Sequence, residues 1–497
     1  MKRKGIRLYK RQKNKATNSK IRKMNIRRSI YSLVVFAIVV VLISSCAVGP
    51  NFQRVEMETQ DTFRFQTTPT DSVTMLDWND LFKDTVLTAL IDSALKNNLN
   101  AQIAASRINE ARAYLGMAKA DMYPSLSVGG NGNYGNTMSV FPTGQSARAS
   151  GYVNANVNWE LVFWGKYRRA SEAARAELVA SEYGLRALQI SLIAEVANSY
   201  YMLLDYQKRL EIANDTWETR KESSRIIGER FDKGIVPELD LNQAEIQEAY
   251  AAAAVPTLER SIAFTENALS VLIGEIPQAI LTNYTIEDLV TPDEVPVGLP
   301  SQLLTRRPDI LEAEQLLKAQ NARIGVAQAM RFPSISLTGM LGLASPDLSN
   351  FNASDALTGS IGASLFGPIF HFGKNKRRVD AERERTEQLR FNYKNAVLSA
   401  FRETEDALVT IETLNRELVF VQKQVNSAQN AAKLSRERYD GGVTSYLEVL
   451  EAERTLFNIE LYYSELLQRR MTGYTDLYKT LGGGWVDDVV VEDEKTN

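Results

Sequence analysis

The sequence predicts a mainly α protein that carries a small set of membrane-type β-strands and is built by internal duplication. Three observations predict it. Segments recur about 208 or 209 residues apart: Leu115-Gly116 through Tyr123-Pro124-Ser125 returns as Ile324-Gly325 through Phe332-Pro333-Ser334, and Gly165-Lys166 as Gly373-Lys374. That period is too long for a solenoid and marks one duplicated half-molecule. Second, Leu414, Leu418, Val421, Val425, Ala428, Ala432, Ser435 and Tyr439 recur at alternating gaps of four and three, the coiled-coil period. Third, Tyr152, Asn154, Asn156 and Asn158 alternate with Val153, Ala155, Val157 and Trp159. One polar and one apolar face suit a wall between water and lipid, although a sandwich strand alternates in the same way.

Composition narrows the function classes. Among 497 residues, Lys plus Arg (58) nearly balance Asp plus Glu (60), so no global charge points to nucleic acid. One Cys and one His exclude a disulfide framework and a Cys/His zinc cluster. His371 lies between Phe370 and Phe372 with no Ser or Cys nucleophile motif in the chain, so no catalytic residue, cofactor or metal site is assigned.

Residues 1–45 read as a basic leader and signal peptide, with Met24 as a second candidate start. Arg27-Arg28, the apolar run Ser29 to Ile43 and small residues before Cys46 describe a secretory signal. The run falls short of the roughly 20 residues of a spanning helix. Ile43-Ser44-Ser45-Cys46 resembles a bacterial lipobox, which implies that Cys46 is the lipid-attachment residue, palmitate included. Ala47 in place of Asp then implies sorting to the outer membrane. An ordinary signal peptide with an incidental Cys is the alternative.

Residues 46–84 form a lipid-anchored segment and collar, polar and irregular from Asn51 to Asp84. The first repeat occupies 85–273. Leu87, Leu90, Ile91, Ala94 and Leu95 set a helical period over Thr85 to Asp121, closed by Tyr123-Pro124. Strands follow at Ser125 to Tyr134 and Ser150 to Trp159, joined by a loop. A helix of roughly 100 Å then runs from Gly165 to Phe231. Its partner returns from Glu238 to Ile273, with a bend expected at Pro256. Residues 274–300 read as linker and collar. The second repeat, 301–481, has strands at Ser334 to Leu343 and Thr358 to Leu365. Its long helix starts at Lys374, and its return helix, Ser445 to Leu481, answers the stripe with Leu447, Leu450, Phe457 and Leu461. A polar tail fills 482–497.

Each long helix ends in the same kind of tip. Arg230 to Glu245 reads RFDKGIVPELDLNQAE and Arg438 to Glu453 reads RYDGGVTSYLEVLEAE. An aromatic residue (Phe231, Tyr439) precedes a glycine (Gly234, Gly442) able to take the positive φ that a reversing helix needs. A carboxylate follows on the next helix (Asp240, Glu448). Four strands per protomer leave two open edges, which hydrocarbon does not tolerate, and the smallest membrane barrels have eight strands. The membrane reading therefore demands more than one copy. A mean hydropathy of −0.24 is compatible with it, since the helices stand outside the bilayer.

Leu299-Pro300-Ser301, Arg306-Arg307-Pro308-Asp309-Ile310, Ala313-Glu314, Phe332-Pro333-Ser334, the two tips and Cys46-Ala47-Val48-Gly49-Pro50-Asn51 together resemble the NodT-type efflux lipoproteins among the TolC-like outer-membrane factors. The resemblance covers nearly all the chain after Cys46. It implies a homotrimer: a twelve-stranded outer-membrane β-barrel, four strands per protomer, continued by a long α-helical periplasmic barrel. It also implies a periplasmic aperture lined by Asp240, Glu448 and Glu451, with a periplasmic adaptor docking on the tips around Gly234, Gly442, Phe231 and Tyr439. The remaining partners are an inner-membrane pump of the RND type and outer-membrane lipid. Thr444 stands where some relatives place an Arg that braces the closed state, so that latch is not expected. The second tip, with Glu448 and Glu451 against Asp240 and Gln243 at the first, is expected to carry most of the gate. No phosphate-binding loop is present, so the energy is expected from the partner; the chain is expected to be a passive duct and not an enzyme. A type I secretion channel, a coiled-coil envelope spacer without a pore, and a glycan-acting carboxylate pair remain alternatives.

Overall fold

The computed structural model describes residues 47–58, 60–65, 84–135, 148–161, 163–290, 298, 300–345 and 356–484. Cys46, the signal segment and the tail beyond 484 lie outside the described residues. The chain forms two compact units. One takes in the described residues up to Gln53 with Arg112–Ala176 and Leu317–Gln388; the other takes in Arg54–Ala111, Glu177–Leu316 and the chain from Leu389.

In order, the elements are α1 (Thr85–Asn97), α2 (Leu99–Ala120), β1 (Ser125–Gly135), β2 (Arg148–Leu161), α3 (Lys166–Asp232), α4 (Glu238–Leu272), α5 (Pro300–Arg306), α6 (Pro308–Ala329), β3 (Ser334–Ser345), β4 (Leu357–Phe366), α7 (Lys374–Asp440) and α8 (Tyr446–Thr480). The duplication is visible element by element. α2 and α6 each have 22 residues, α3 and α7 each have 67, and α4 and α8 each have 35. The long helices keep one offset of 208 (166 to 374, 238 to 446), and β1 and β3 an offset of 209 (125 to 334).

The first helix is not continuous, as Thr85 to Asp121 had suggested. It breaks at Asn98, whose ψ of 126° leaves the helical region. The side-chain oxygen of Asn98 accepts from the backbone N–H groups of Asn100 (2.9 Å) and Ala101 (3.2 Å), capping α2. Its amide donates to Leu272 O (2.9 Å), a terminal carbonyl of α4. The second repeat breaks at the equivalent residue, Arg307, which donates to Thr480 O (3.1 Å) at the end of α8. The apolar spacing runs through both breaks, so periodicity alone misses them. Pro256 lies inside α4 without ending it.

The helical unit's core gathers Leu87 and Ile91 of α1, Val196, Tyr200 and Leu203 of α3, Leu269 of α4 and Met471 of α8. Asp84 fixes α1 by accepting from Val86 N (2.7 Å) and from the Tyr200 hydroxyl (2.6 Å). The stripe expected on α7 is buried at Leu414, Val421, Val425, Ala428, Ala432 and Ser435. On α8 the expected Leu450 and Phe457 are buried, but Leu447 is 58% exposed, and Tyr446 and Val449 fill the seam in its place. Tyr446 and Val449 pack against Ile227 and Ala244 of the first hairpin, which leaves Leu447, about 100° round the helix from Tyr446, facing outward.

The other unit carries a four-stranded antiparallel sheet in the order β1-β2-β3-β4. Its register sets Val128 opposite Ala155, Ala155 opposite Leu341 and Leu341 opposite Gly359. On the alternate residues Ser127 faces Asn156, Asn156 faces Met340 and Met340 faces Ser360. The two-faced pattern of β2 therefore extends across the whole sheet: Leu126, Val128, Val153, Val157, Leu337, Leu341, Ile361 and Leu365 share one face. Ser125, Ser127, Asn154, Asn156, Asn158, Thr338, Ser360 and Ser364 share the other.

Candidate functional site

Both tips close by the same backbone device. At the first, Gly234 has φ +72°. Its N–H donates to Phe231 O (2.7 Å), and that of Ile235 donates to Arg230 O (2.8 Å). At the second, Gly442 has φ +70°, with Gly442 N to Tyr439 O at 2.9 Å and Val443 N to Arg438 O at 2.9 Å. This pair of bonds is the Schellman arrangement, which satisfies the last helical carbonyls and needs a glycine. No other atom lies within 4 Å of where a side chain would start at either glycine, so positive φ is the reason for glycine there.

The structure brings the two tips together. Ile227, Val236, Leu241 and Ala244 of the first hairpin pack with Tyr439, Tyr446, Val449 and Leu450 of the second. The Tyr439 and Tyr446 rings lie 5.2 Å apart, and the Arg230 guanidinium sits 5.3 Å above the Tyr439 ring. Burial pushes the Tyr446 hydroxyl up to about 12. Phe231 is half-buried and outside this cluster.

The acidic residues differ in their surroundings. Asp240 lies in the first turn of α4 with no ion-pair partner among the described residues. Glu448 lies in the first turn of α8, pairs with Arg438 across the turn (3.5 Å) and accepts from the Thr444 hydroxyl. Glu451 pairs with Arg454 (2.6 Å). Thr444, where no latch was expected, thus holds the Glu448 carboxylate directly.

Just behind the tips lies a second charged group that sequence reading missed. Arg436 of α7 donates to Glu453 of α8 (2.8 Å) and to Ser223 of α3 (2.7 Å). Arg220 of α3 is buried, donates to Gln247 O of α4 (3.0 Å) and lies 5.1 Å over the Phe457 ring of α8. These contacts tie one hairpin to the other. Burial raises the Glu453 carboxyl above its ordinary range, against the opposing pull of Arg436 and Arg220. The available signal was a charged residue on each side of an apolar seam: Arg436 next to Ser435, and Glu453 three residues after Leu450.

At the sheet end, the described chain begins at Ala47, next to Cys46. Val48 N donates to Trp164 O (3.2 Å), and a side chain at Gly165 would meet Ala47 at 2.9 Å. Gly49 lies against Gly325, where a side chain would meet the Gly325 Cα at 2.5 Å. Arg169 holds the same segment through Gly49 O (3.3 Å) and the Asn51 side chain (2.8 Å). Residues 47–51, which follow the lipid-attachment candidate in sequence, are thereby held at the junction of β2 and α3. His371 lies at the equivalent junction before α7.

The family model for outer membrane efflux proteins matches residues 90–275 and again 299–483, once per repeat. The chain belongs to the outer membrane efflux protein family. It is accordingly an outer-membrane transport protein. It is 34% identical over 456 residues to the cation efflux system protein CusC of Escherichia coli, covering 90% of this chain and 97% of that one. Identity to the probable outer membrane lipoprotein SilC of Salmonella typhimurium is 32%, over 92% and 99%. The crystal structure of the Campylobacter jejuni CmeC outer membrane channel superposes with a TM-score of 0.84 at 27% identity, covering 89% of this chain and 96% of that one.

Proposed function

We propose that this outer membrane efflux protein is the passive exit duct of a tripartite system. Three copies close a twelve-stranded barrel, a periplasmic adaptor grips the tips, and an inner-membrane pump of the RND type supplies the energy. The observation that carries the reading is the sheet: one mainly apolar face, one mainly polar face and two unpaired edges. Such a sheet is costly alone in water or in lipid, and stable once closed around an aqueous lumen. Between Arg148 and Glu160, the charged residues at the two ends of β2 on this face, the polar side lines the lumen with hydroxyls and amides.

The tips act as the periplasmic aperture. Asp240, Glu448 and Glu451 from each copy ring one constriction, where confined carboxylates concentrate cations. The ties from Arg436 to Glu453 and Ser223 hold the second hairpin against the first, and the adaptor opens the duct by pulling the hairpins apart around Gly234 and Gly442. Purified protein in a planar bilayer should give stepwise single-channel currents. Intact oligomers that conduct nothing would favour the envelope spacer instead.

Cys46 carries the lipid anchor. The backbone of residues 47–51 is clamped beside the sheet, so acyl chains on the neighbouring residue would enter the bilayer the sheet spans. Cells fed radiolabelled palmitate should label the wild-type protein and leave Cys46→Ala unlabelled; equal labelling of both would refute the assignment.

A further inference from the structure

The two halves of one chain meet along a seam that has a complete description: β2 pairs with β3, and the residues flanking these strands lock together. Trp164, which follows β2, stacks on Phe332, which precedes β3, with ring centroids 4.6 Å apart and an interplanar angle of 21°. The Trp164 indole N–H also donates to Pro333 O (2.6 Å). The aromatic residues and strand edges of this seam have equivalents elsewhere in the chain that are exposed. Trp164 corresponds to Phe372, and Phe332-Pro333 to Tyr123-Pro124. Phe372 is 86% exposed and Tyr123 is 70% exposed. Phe372 rests only against Phe370, at 4.5 Å, and is the one non-glycine residue with positive φ among the described residues (+49°). The strands equivalent to β3 and β2 are β1 and β4, the two open edges of the sheet.

The repeat equivalence reproduces registers it was not built from. Shifting the β1–β2 pair Ser125 opposite Asn158 by 209 and 208 gives Ser334 opposite Phe366, which is the pair observed between β3 and β4. The same shift therefore applies to the observed β2–β3 register.

We infer that adjacent copies of this chain join by repeating its internal seam: β4 of one copy pairs antiparallel with β1 of the next, and Phe372 stacks on Tyr123 of the next copy. The observed pairs Asn156 opposite Met340, Asn154 opposite Gly342 and Val153 opposite Leu343 become Ser364 opposite Asn131, Gly362 opposite Asn133 and Ile361 opposite Tyr134 of the next copy. This register keeps both faces in phase. Ile361, 96% exposed, meets Tyr134 on the apolar face, and Ser364 meets Asn131 on the polar face. A slip of one residue would set apolar against polar along the whole edge. The inference rests on the proposed barrel and adds the register and the aromatic clasp that close it.

The test uses the full-length protein in its membrane. Ser364→Cys with Asn131→Cys in one chain places two thiols within disulfide reach only between copies, because β1 and β4 of one chain are separated by two strands. Mild oxidation should give a covalent oligomer ladder on non-reducing gels, about tenfold stronger than the shifted pair Ser364→Cys with Asn133→Cys. A ladder favouring the shifted pair overturns the register. No ladder from either pair, in protein that still conducts, overturns the edge pairing while leaving the duct standing; loss of conducting oligomers in the wild type would bring down the duct itself. Phe372→Ala should lower the temperature at which detergent-resistant oligomers dissociate. Phe372→Trp, which installs the residue found at the internal seam, should match or exceed the wild type. Equal dissociation of all three overturns the clasp.

Discussion

At the residue scale, the acids proposed to line the aperture are held by different means. Glu448 has Arg438 and Thr444 as partners and Glu451 has Arg454, whereas Asp240 has no ion-pair partner among the described residues. Exposed ion pairs are worth only about 0–1 kcal/mol, so the paired carboxylates still present their charge to an aperture. Glu448→Gln with Glu451→Gln should raise single-channel conductance and weaken cation selectivity in a planar bilayer; unchanged reversal potentials would remove them from the ring. Glu453 behaves differently. Burial outweighs its arginine neighbours and raises its carboxyl, so the folded state takes up a proton more readily than the unfolded chain. The cost of burying its charge is fully present above the raised value and falls away as pH drops towards the ordinary carboxylate range. Glu453→Gln should therefore raise the Tm at neutral pH and flatten part of its rise on acidification. Arg436→Ala, which leaves Glu453 buried without its closest cation, should lower the Tm and loosen the tips. Melting curves across pH 5 to 8 decide between these outcomes.

At the scale of the element, the repeated break is the feature with most consequence. Asn98 and Arg307 use different chemistry for one task, donating to Leu272 O and Thr480 O at the ends of the two return helices. Gly274 and Gly482 follow those ends at φ +77° and +88°. A side chain at Gly274 would meet the Asn97 carbonyl oxygen at 2.6 Å, and one at Gly482 the Arg306 oxygen at 3.3 Å. Gly274→Ala should thus cost more than Gly482→Ala, since it combines the positive-φ penalty of about 1–2 kcal/mol with a backbone clash. Thermal unfolding of the two variants, ranked against wild type, checks this. The order reversed would mean that the φ penalty alone sets the cost.

For the whole molecule, the sheet's two faces predict opposite outcomes for neighbouring substitutions. Ile361→Arg puts a charge on the apolar face, where a lipid-facing cation costs about 2–4 kcal/mol at the midplane. It should reduce the yield of assembled oligomer in outer-membrane fractions. Ser360→Arg, one residue away on the polar face, should assemble normally and shift ion selectivity towards anions. Loss of assembly in both would argue against a lumen on that face.

The duplication, the strand faces, the coiled-coil stripe and the glycine tips were legible in the sequence because each is a local pattern or an echo of one. Helix and strand periods follow from backbone geometry, and a positive-φ glycine leaves its mark at the residue itself. Pro308 marks the break at Arg307, whereas the break at Asn98, the outward turn of Leu447 and the ties of Arg220 and Arg436 were not legible. Each depends on which distant group lies opposite: a return-helix carbonyl for Asn98, Glu453 and Ser223 for Arg436. The sequence by itself determined that there are two hairpins, two strand pairs and acids after each turn. Only the tertiary structure decided that both tips share one apolar cluster, that Glu448 is held by Arg438 and Thr444 while Asp240 is not, and that β2 pairs with β3. Contacts between segments some 200 residues apart are set by packing and register, which no local spacing encodes.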